Sequence, residues 1–180
     1  RSQLSEASAP PIRQVSIGSG EYEMKIGGET VLFRHEKTFF NQPGLAILIS
    51  DSMDDAEIEK RFSKVGYYQF DRVGVNLRPE IVALKSEGTD EKFLGIAKKA
   101  ANAPYGIILM TSKPQLMKEA LEITKSKRPL MYAANKENVE EFGFLAKAFN
   151  CPLAVKGNGI EEVSALTERL TAMGLKDLVI

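Results

Sequence analysis

The chain has 180 residues, of which 24 are basic and 24 acidic, so its formal net charge is zero. This length predicts one domain with a sizeable core, and the balanced charge gives no indication of a nucleic-acid partner. One Cys and one His exclude a four-cysteine iron–sulfur site, a closed Cys/His zinc site and an internal disulfide within this sequence. No apolar run approaches the roughly 20 residues of a membrane span, so we expect no membrane partner.

Residues 1–11 (RSQLSEASAPP) are rich in Ser, Ala and Pro and contain almost no large apolar side chains. This composition predicts an extended linker, which we expect to follow a preceding segment of a longer protein. The stretch also lacks the apolar core of a secretory signal. Together with the single free thiol, this favours a reducing, cytoplasmic location.

Residues 12–43 predict a β-hairpin that covers one end of the main sheet. Apolar residues alternate in Ile12–Gly18 and Tyr22–Ile26, and Gly27-Gly28 is a two-residue hairpin signal. Val31–Arg34 is the expected return strand. We expect the aromatic pair at residues 39 and 40 to pack on this cover.

From residue 44 onward, buried strands alternate with amphipathic helices. The clearest unit begins with the apolar strand Tyr105–Met110. Ser112 is the expected N-cap of the next helix, with Pro114 in its first turn and Gln115 at the capping-box position. The helix ends before Pro129, and Leu130–Ala134 follows as another strand.

The same pattern predicts the remaining elements of residues 44–180. The predicted strands cover residues 45–50, 80–84, 105–110, 130–134 and 151–155, and a sixth begins at 177. The predicted helices cover residues 56–65 and 91–102, follow Ser112 and Asn135, and cover 160–173, with Ile160, Val163, Leu166 and Leu170 facing inward. Residues 66–79 predict an irregular connection, because Pro79 blocks a further central strand.

Two α/β architectures fit this alternation, an open doubly wound sheet and a (β/α)8 barrel. The barrel is favoured because the loops carry no glycine-rich phosphate motif, the early hairpin suits a barrel bottom, and strand starts recur about every 23–25 residues. A barrel needs eight strands and about 250 residues. We therefore predict a TIM barrel truncated to about six strands over residues 44–180.

In a barrel, functional residues follow the carboxyl ends of the strands. The candidates here are Asp51, Lys85, Ser86, Glu87, Thr111, Ser112, Asn135, Lys136, Lys156 and Asn158. Asp51, Asn135 and Lys156 have the donors and acceptors that a pterin-like ring requires. Helix capping is the favoured explanation for Ser112 and Asn135, and a structural role is favoured for Asp51, so Lys156 is the strongest candidate.

Three other features have a structural interpretation. The segment at 157–159 (GNG) precedes a helix and could seat an anion, but a tight turn is favoured. His35 lies in a charged run that predicts a surface turn, with no partner residue for metal binding or catalysis. Cys151 precedes Pro152 at a strand start, which predicts a small buried apolar side chain.

Several stretches resemble the large (gamma) subunit of the corrinoid iron–sulfur protein. The most specific is residues 28–41 (GETVLFRHEKTFFN), and residues 7–12 (ASAPPI) and 72–74 (RVG) also fit, in the same order along the chain. The resemblance implies a TIM barrel of the dihydropteroate synthase-like type. It also implies that residues 1–11 connect the barrel to an N-terminal domain with a [4Fe-4S] cluster, and that a cobalamin domain follows the barrel.

By this resemblance, the whole protein carries a methyl group from a methyl-tetrahydropterin, through a methyltransferase, to acetyl-CoA synthase in the Wood–Ljungdahl pathway. The barrel would be a scaffold that pairs with a small subunit and has no catalytic, cofactor or metal-binding residues of its own. The chain lacks the Asp-x-His-x-x-Gly cobalamin motif, since its only His lies in Phe33-Arg34-His35-Glu36. The alternatives are a pterin-binding methyltransferase barrel and, less favoured for lack of a GxGxxG or P-loop motif, a nucleotide-binding open sheet.

Overall fold

The computed structural model describes residues 12–20, 23–28, 41 and 43–180. The predicted linker at 1–11, the return strand Val31–Arg34, His35 and the aromatic pair at 39 and 40 lie outside the described residues. The described strands are β1 Val15–Ile17, β2 Met24–Ile26, β3 Ala46–Ser50, β4 Phe70–Arg72, β5 Val75–Leu77, β6 Ile81–Lys85, β7 Gly106–Met110, β8 Leu130–Ala134, β9 Leu153–Val155 and β10 Leu178–Val179. The described α-helices are α1 Asp55–Tyr67, α2 Asp90–Ala101, α3 Pro114–Thr124, α4 Val139–Phe149 and α5 Ile160–Ala172.

Within the described residues, six parallel strands form the main sheet in the order β10-β9-β8-β7-β6-β3. Each strand therefore lies beside the strand that precedes it in this series. A doubly wound sheet reverses this order at a switch point and has helices on both faces. The unbroken order instead places successive right-handed crossovers on one face, as in part of a barrel.

The side chains of the sheet confirm that its two faces differ. Val82, Leu84, Ile107 and Leu109 belong to one large core that also contains buried residues from all five helices. The alternate positions Ile81, Leu130 and Ala154 belong to a second, smaller cluster with Ile17 of β1. The helices thus cover one face, and the opposite face is the concave side of the curved sheet.

The β1–β2 hairpin covers the amino-terminal end of this concave side. β1 and β2 pair antiparallel, and the Gly18 N–H donates to the Arg128 carbonyl over 3.0 Å. Arg128 in turn donates to the Ser16 carbonyl over 2.6 Å and forms an ion pair of 2.6 Å with Asp177. An early hairpin is therefore present between β1 and β2, and the predicted return strand Val31–Arg34 lies outside the described residues.

Two sequence predictions about elements are wrong. The connection at 66–79 is a regular two-stranded hairpin, because Arg72 pairs with Val75 across the two-residue turn Val73-Gly74. It lies outside the main sheet, as the position of Pro79 requires. Ile160 is 89% exposed rather than inward, because the buried part of α5 is limited to Leu166 and Leu170 and Ile160 borders a cavity beside this helix.

The first residues of α3 and α4 also differ from the sequence predictions. Asp54 caps α1 as its spacing to Glu57 predicts, with its carboxylate accepting the Glu57 N–H over 2.7 Å. In contrast, Ser112 and Asn135 are not N-caps, since α3 begins after Lys113 and α4 after Asn138. Both side chains are therefore available at the carboxyl end of the sheet.

Candidate functional site

A cavity of about 250 Å³ opens at the carboxyl ends of β6, β7, β8 and β9. We call it the mouth cavity. It is lined by Lys85, Ser86, Met110, Thr111, Ser112, Tyr132, Ala133, Asn135 and Lys156. Two of the three predicted site residues, Asn135 and Lys156, thus meet in one cavity, and the third, Asp51, does not line it.

Asn135 is held by a reciprocal pair of turns with Asn138. The Asn135 Oδ1 atom accepts the N–H groups of Glu137 and Asn138, at 2.8 and 3.2 Å, and the Asn138 Oδ1 atom accepts the Asn135 N–H at 2.7 Å. This local hydrogen bonding competes with helix formation, so α4 starts later than predicted. Because both bonds use Oδ1, the free polar group of Asn135 is its amide NH₂.

The N-cap of α3 is Lys113, with no side-chain cap hydrogen bond, and Thr111 forms a turn directly before it. The Thr111 Oγ1 atom accepts the Lys113 N–H at 3.2 Å, and the side chain is 7% exposed. Its hydroxyl proton has no acceptor among the described residues, and the Ser112 hydroxyl likewise has no partner there. Both hydroxyls line the mouth cavity and can donate into it.

Lys85 lines the cavity but is paired with a carboxylate. Its Nζ atom lies 2.5 Å from Oε1 of Glu87, and the Ser50 hydroxyl donates to the other carboxylate oxygen over 2.8 Å. The hydrogen bond from Lys85, followed by that from Ser50, lowers the pKa of Glu87 below its ordinary value of 4.5. Glu87 therefore stays ionised and neutralises the Lys85 charge.

Asp51 is a structural link between two loops. It is 2% exposed, and its Oδ1 atom accepts the N–H groups of Glu87 and Gly88 at 2.7 and 2.6 Å. A Cβ atom on Gly88 would lie 3.2–3.3 Å from Asp51 atoms, so the two segments are in close contact. Asp51 therefore joins the end of β3 to the loop after β6, which supports one wall of the cavity.

Lys156 follows β9, where its N–H donates to the Ala134 carbonyl over 2.9 Å. Its ammonium group has no ion pair or hydrogen bond within the described part of the chain. The next residue, Gly157, packs against α5 so closely that a Cβ atom there would lie 3.1 Å from Val163. This contact fixes the position of the loop that carries Lys156.

Lys156 and Asn135 also border a second cavity of about 320 Å³, on the α4–α5 side. That cavity contains the carboxylates of Glu137 and Glu162, and Glu162 accepts the Asn158 N–H over 2.9 Å. The two residues therefore stand between a cavity lined with lysines and one that contains carboxylates.

Sequence reasoning did not identify Tyr132 and Ala133 as lining residues. They are consecutive in β8 and would normally face opposite sides of the sheet. However, Met131 pairs with Leu153 and Ala134 with Val155, so two residues of β8 stand opposite one of β9. This bulge turns both residues towards the cavity, and no local sequence signal marks it.

The described residues do not suit an iron–sulfur cluster or another metal site. No group of three or more His, Cys, Asp or Glu side chains there could hold a metal ion. Cys151 is 3% exposed, as predicted, and burial raises the pKa of its thiol to about 11. A neutral, isolated thiol is a poor metal ligand.

Among the described residues, every helix is too short or too polar to cross a bilayer.

The family model of the CO dehydrogenase/acetyl-CoA synthase delta subunit matches residues 14–180. Among curated proteins, the corrinoid/iron-sulfur protein large subunit of Moorella thermoacetica is 37% identical over 182 residues, which cover 100% of this chain and 41% of the relative. Subunit gamma 2 of the acetyl-CoA decarbonylase/synthase complex of Methanosarcina thermophila is 38% identical over 180 residues, covering 99% of this chain and 38% of the relative. The chain thus spans about two-fifths of the length of these relatives. The resemblance to the large (gamma) subunit inferred from the sequence is confirmed.

Proposed function

The chain belongs to the CO dehydrogenase/acetyl-CoA synthase delta subunit family, and from this premise we propose that it forms part of the barrel of a corrinoid iron–sulfur large subunit. In this proposal the barrel is of the dihydropteroate synthase-like type, and residues outside this chain complete it. The single-wound strand order and the one-sided helix layer support the proposal.

The proposed role is that of a scaffold that docks a partner subunit. The supporting observation is a patch of exposed apolar side chains on the β4–β5 hairpin and the end of α1, which we call the hairpin patch. Tyr67, Tyr68, Phe70 and Val73 are 88%, 61%, 50% and 96% exposed. Aromatic side chains exposed together are typical of protein–protein interfaces.

The hairpin patch lies at the opposite end of the sheet from the mouth cavity. The β4–β5 hairpin directly precedes Ile81, the first residue of β6, whereas the cavity follows the last residues of the strands. The β1–β2 hairpin also lies at that amino-terminal end, where the Arg128 hydrogen bonds join it to the sheet. We propose that this end is the rigid base on which the small subunit docks.

We infer that the iron–sulfur cluster is held by another part of the full-length protein, since no group of His, Cys, Asp or Glu side chains among the described residues could hold a metal ion. The corrinoid would be held by the cobalamin domain that the resemblance implies. The corrinoid would accept the methyl group from a methyl-tetrahydropterin through a partner methyltransferase and pass it to acetyl-CoA synthase, in the cytoplasm. A fixed barrel with separate cofactor domains allows one corrinoid to reach several partners.

The test of docking uses the full-length large subunit and its small subunit. Replacing Tyr67, Tyr68 and Phe70 together with Ser removes the apolar contact area, so we expect the heterodimer to dissociate in size-exclusion chromatography with light scattering. The matched control is Phe144→Ser, because Phe144 is 66% exposed on α4, away from the patch. If the triple variant assembles as tightly as the unchanged protein, the docking role of the patch is wrong.

The alternative is a pterin-binding barrel, which the shared location of Asn135 and Lys156 favours. It is weakened by Asp51, because a pterin presents N–H donors that need an acceptor, and the Asp51 carboxylate, whose Oδ2 atom has no partner among the described residues, does not line the mouth cavity. Titration of the full-length protein with methyl-tetrahydrofolate distinguishes the two functions. The scaffold predicts no submicromolar binding, whereas submicromolar affinity that is lost in Asn135→Ala and Lys156→Ala would establish the pterin site.

A further inference from the structure

We propose that the mouth cavity binds a small oxyanion, a phosphate or carboxylate group. This goes beyond the scaffold role and does not depend on it. The proposal rests on which polar groups lining the cavity are already engaged and which remain free.

The first observation is the charge of the lining. The lining contains two lysines and no carboxylate. Glu87 neutralises Lys85 from outside the lining at 2.5 Å, whereas Lys156 has no counter-ion among the residues that the structure describes. The lining therefore has a net positive charge from one unpaired ammonium group, which favours an anion; the nearby carboxylates of Glu137 and Glu162 line the adjoining cavity rather than this one.

The second observation is that the free side-chain groups are set up to donate. The Asn135 Oδ1 atom already accepts two backbone N–H groups, so only its NH₂ group is left for a ligand. The Thr111 Oγ1 atom accepts the Lys113 N–H, so its hydroxyl proton is left. With the Ser112 hydroxyl and the Lys156 ammonium, four side chains offer donors to one small volume.

The third observation is that two of these donors, and the backbone that carries a third, are held in place. Only 7% of the surface of Thr111 is exposed. Asn135 is held by its reciprocal hydrogen bonds with Asn138. The loop that carries Lys156 is held by the close contact of Gly157 with α5. Donors that are already oriented lose little entropy when they bind a ligand.

The size of the cavity limits the ligand. A volume of about 250 Å³ lies below the roughly 300–1,000 Å³ of sites for drug-sized molecules. It suits a phosphate or a short carboxylate, alone or as the end group of a larger molecule. Since only one cation is unpaired, we expect a dissociation constant in the range of about 0.1–1 mM, which corresponds to a modest binding free energy.

The test is isothermal titration calorimetry of the full-length protein with sodium phosphate and, separately, sodium acetate, at constant ionic strength set with chloride. We expect saturable binding of at least one of the two, and the tighter one identifies the oxyanion as tetrahedral or planar. Lys156→Gln should weaken binding at least about tenfold, and Lys156→Arg should restore most of it because the charge is kept. The matched control is Lys118→Gln, an exposed lysine on α3 outside the cavity.

For a further variant we expect tighter oxyanion binding, a result that misfolding could not produce. Glu87→Gln removes the counter-ion of Lys85 and leaves a second free ammonium group at the cavity, so oxyanion binding should tighten several-fold. The proposal is overturned if neither anion binds at 10 times the expected dissociation constant, if Lys118→Gln weakens binding as much as Lys156→Gln, or if Glu87→Gln leaves the affinity of the folded protein unchanged.

Discussion

Asp51 shows how a polar residue at a strand end can join two parts of a fold. Its position after β3 makes it a candidate for ring recognition; in the structure its Oδ1 atom holds the loop after β6, and its buried Oδ2 atom has no partner among the described residues. Lys156 differs because its neighbours fix its backbone and leave its ammonium group free. The difference between the two residues depends on contacts 36 and 37 positions apart in the chain, which local sequence cannot reveal.

Asp51→Ala should destabilise the fold. The substitution leaves two backbone N–H groups without their acceptor, which costs about 2–4 kcal/mol in the free energy of opening. Native-state hydrogen exchange of the β3 and β6 amides measures this loss. Asp55→Ala is the matched control, because the Asp55 side chain is 91% exposed; an equal effect of both substitutions would contradict the structural role of Asp51.

Glu87 makes the stability of this region depend on pH. Its pKa is lowered in the folded state by the Lys85 and Ser50 hydrogen bonds, so the stabilisation is complete above the ordinary value of 4.5 and is lost as the pH falls through the lowered pKa. The stability difference between the unchanged protein and Glu87→Gln should therefore be present at pH 7 and vanish towards pH 3. Urea denaturation at a series of pH values measures it, and a difference that grows at low pH would contradict this assignment.

At the scale of elements, the buried strands were predicted most closely. Leu130–Ala134 matches its prediction residue for residue, because a continuous apolar run bounded by Pro129 has few alternative structures. Helix starts were less predictable, since α3 and α4 begin after Lys113 and Asn138, neither of which makes a side-chain cap hydrogen bond, and turn bonds at Thr111 and Asn135 precede the two helices. The prediction that Ile160 faces inward is wrong because helical periodicity shows which side of a helix is apolar but not how far the core extends along it.

The turn of the β4–β5 hairpin contains a strained residue. Val73 has φ 53° and Gly74 φ 77°, which is the conformation of a two-residue turn that favours Asn-Gly. A β-branched residue in the left-handed region costs about 1–2 kcal/mol. Val73→Asn should therefore stabilise the hairpin by ~1 kcal/mol, measured by hydrogen exchange of residues 70–77. Val73→Ala should gain little, because Ala keeps most of the steric penalty, and an equal gain would refute the backbone explanation.

The Arg128 side chain is one of the groups that attach the β1–β2 hairpin to the sheet. Arg128 donates to the carbonyls of Ser16 and Asn150 and pairs with Asp177, with 23% of its side chain exposed. Arg128→Ala should cost about 2–4 kcal/mol and increase proteolysis at residues 12–28. Arg13 pairs with the same Asp177 but is 58% exposed, so Arg13→Ala should cost less than about 1 kcal/mol. Equal proteolysis of both variants would show that Arg128 does not hold the hairpin.

At the scale of the whole molecule, the alternation of strands and helices was enough to predict the α/β class and a sheet of barrel type. The regular spacing implied single winding, which the strand order bears out. The mouth cavity could be predicted only in part. Asn135 and Lys156 were predicted as strand-end residues, whereas the β8 bulge that adds Tyr132 depends on the register with β9. The hairpin patch was missed because residues 66–79 lack the clear turn residues of a hairpin.

The two ends of the sheet divide the proposed roles, with a partner subunit at the amino-terminal end and an accessible cavity at the carboxyl end. Hydrogen–deuterium exchange of the full-length large subunit, with and without its small subunit, tests this division most directly. We predict that the small subunit slows amide exchange at residues 67–77 and leaves residues 111–113 and 156–158 unchanged. Protection confined to the cavity loops, with residues 67–77 unaffected, would contradict the account.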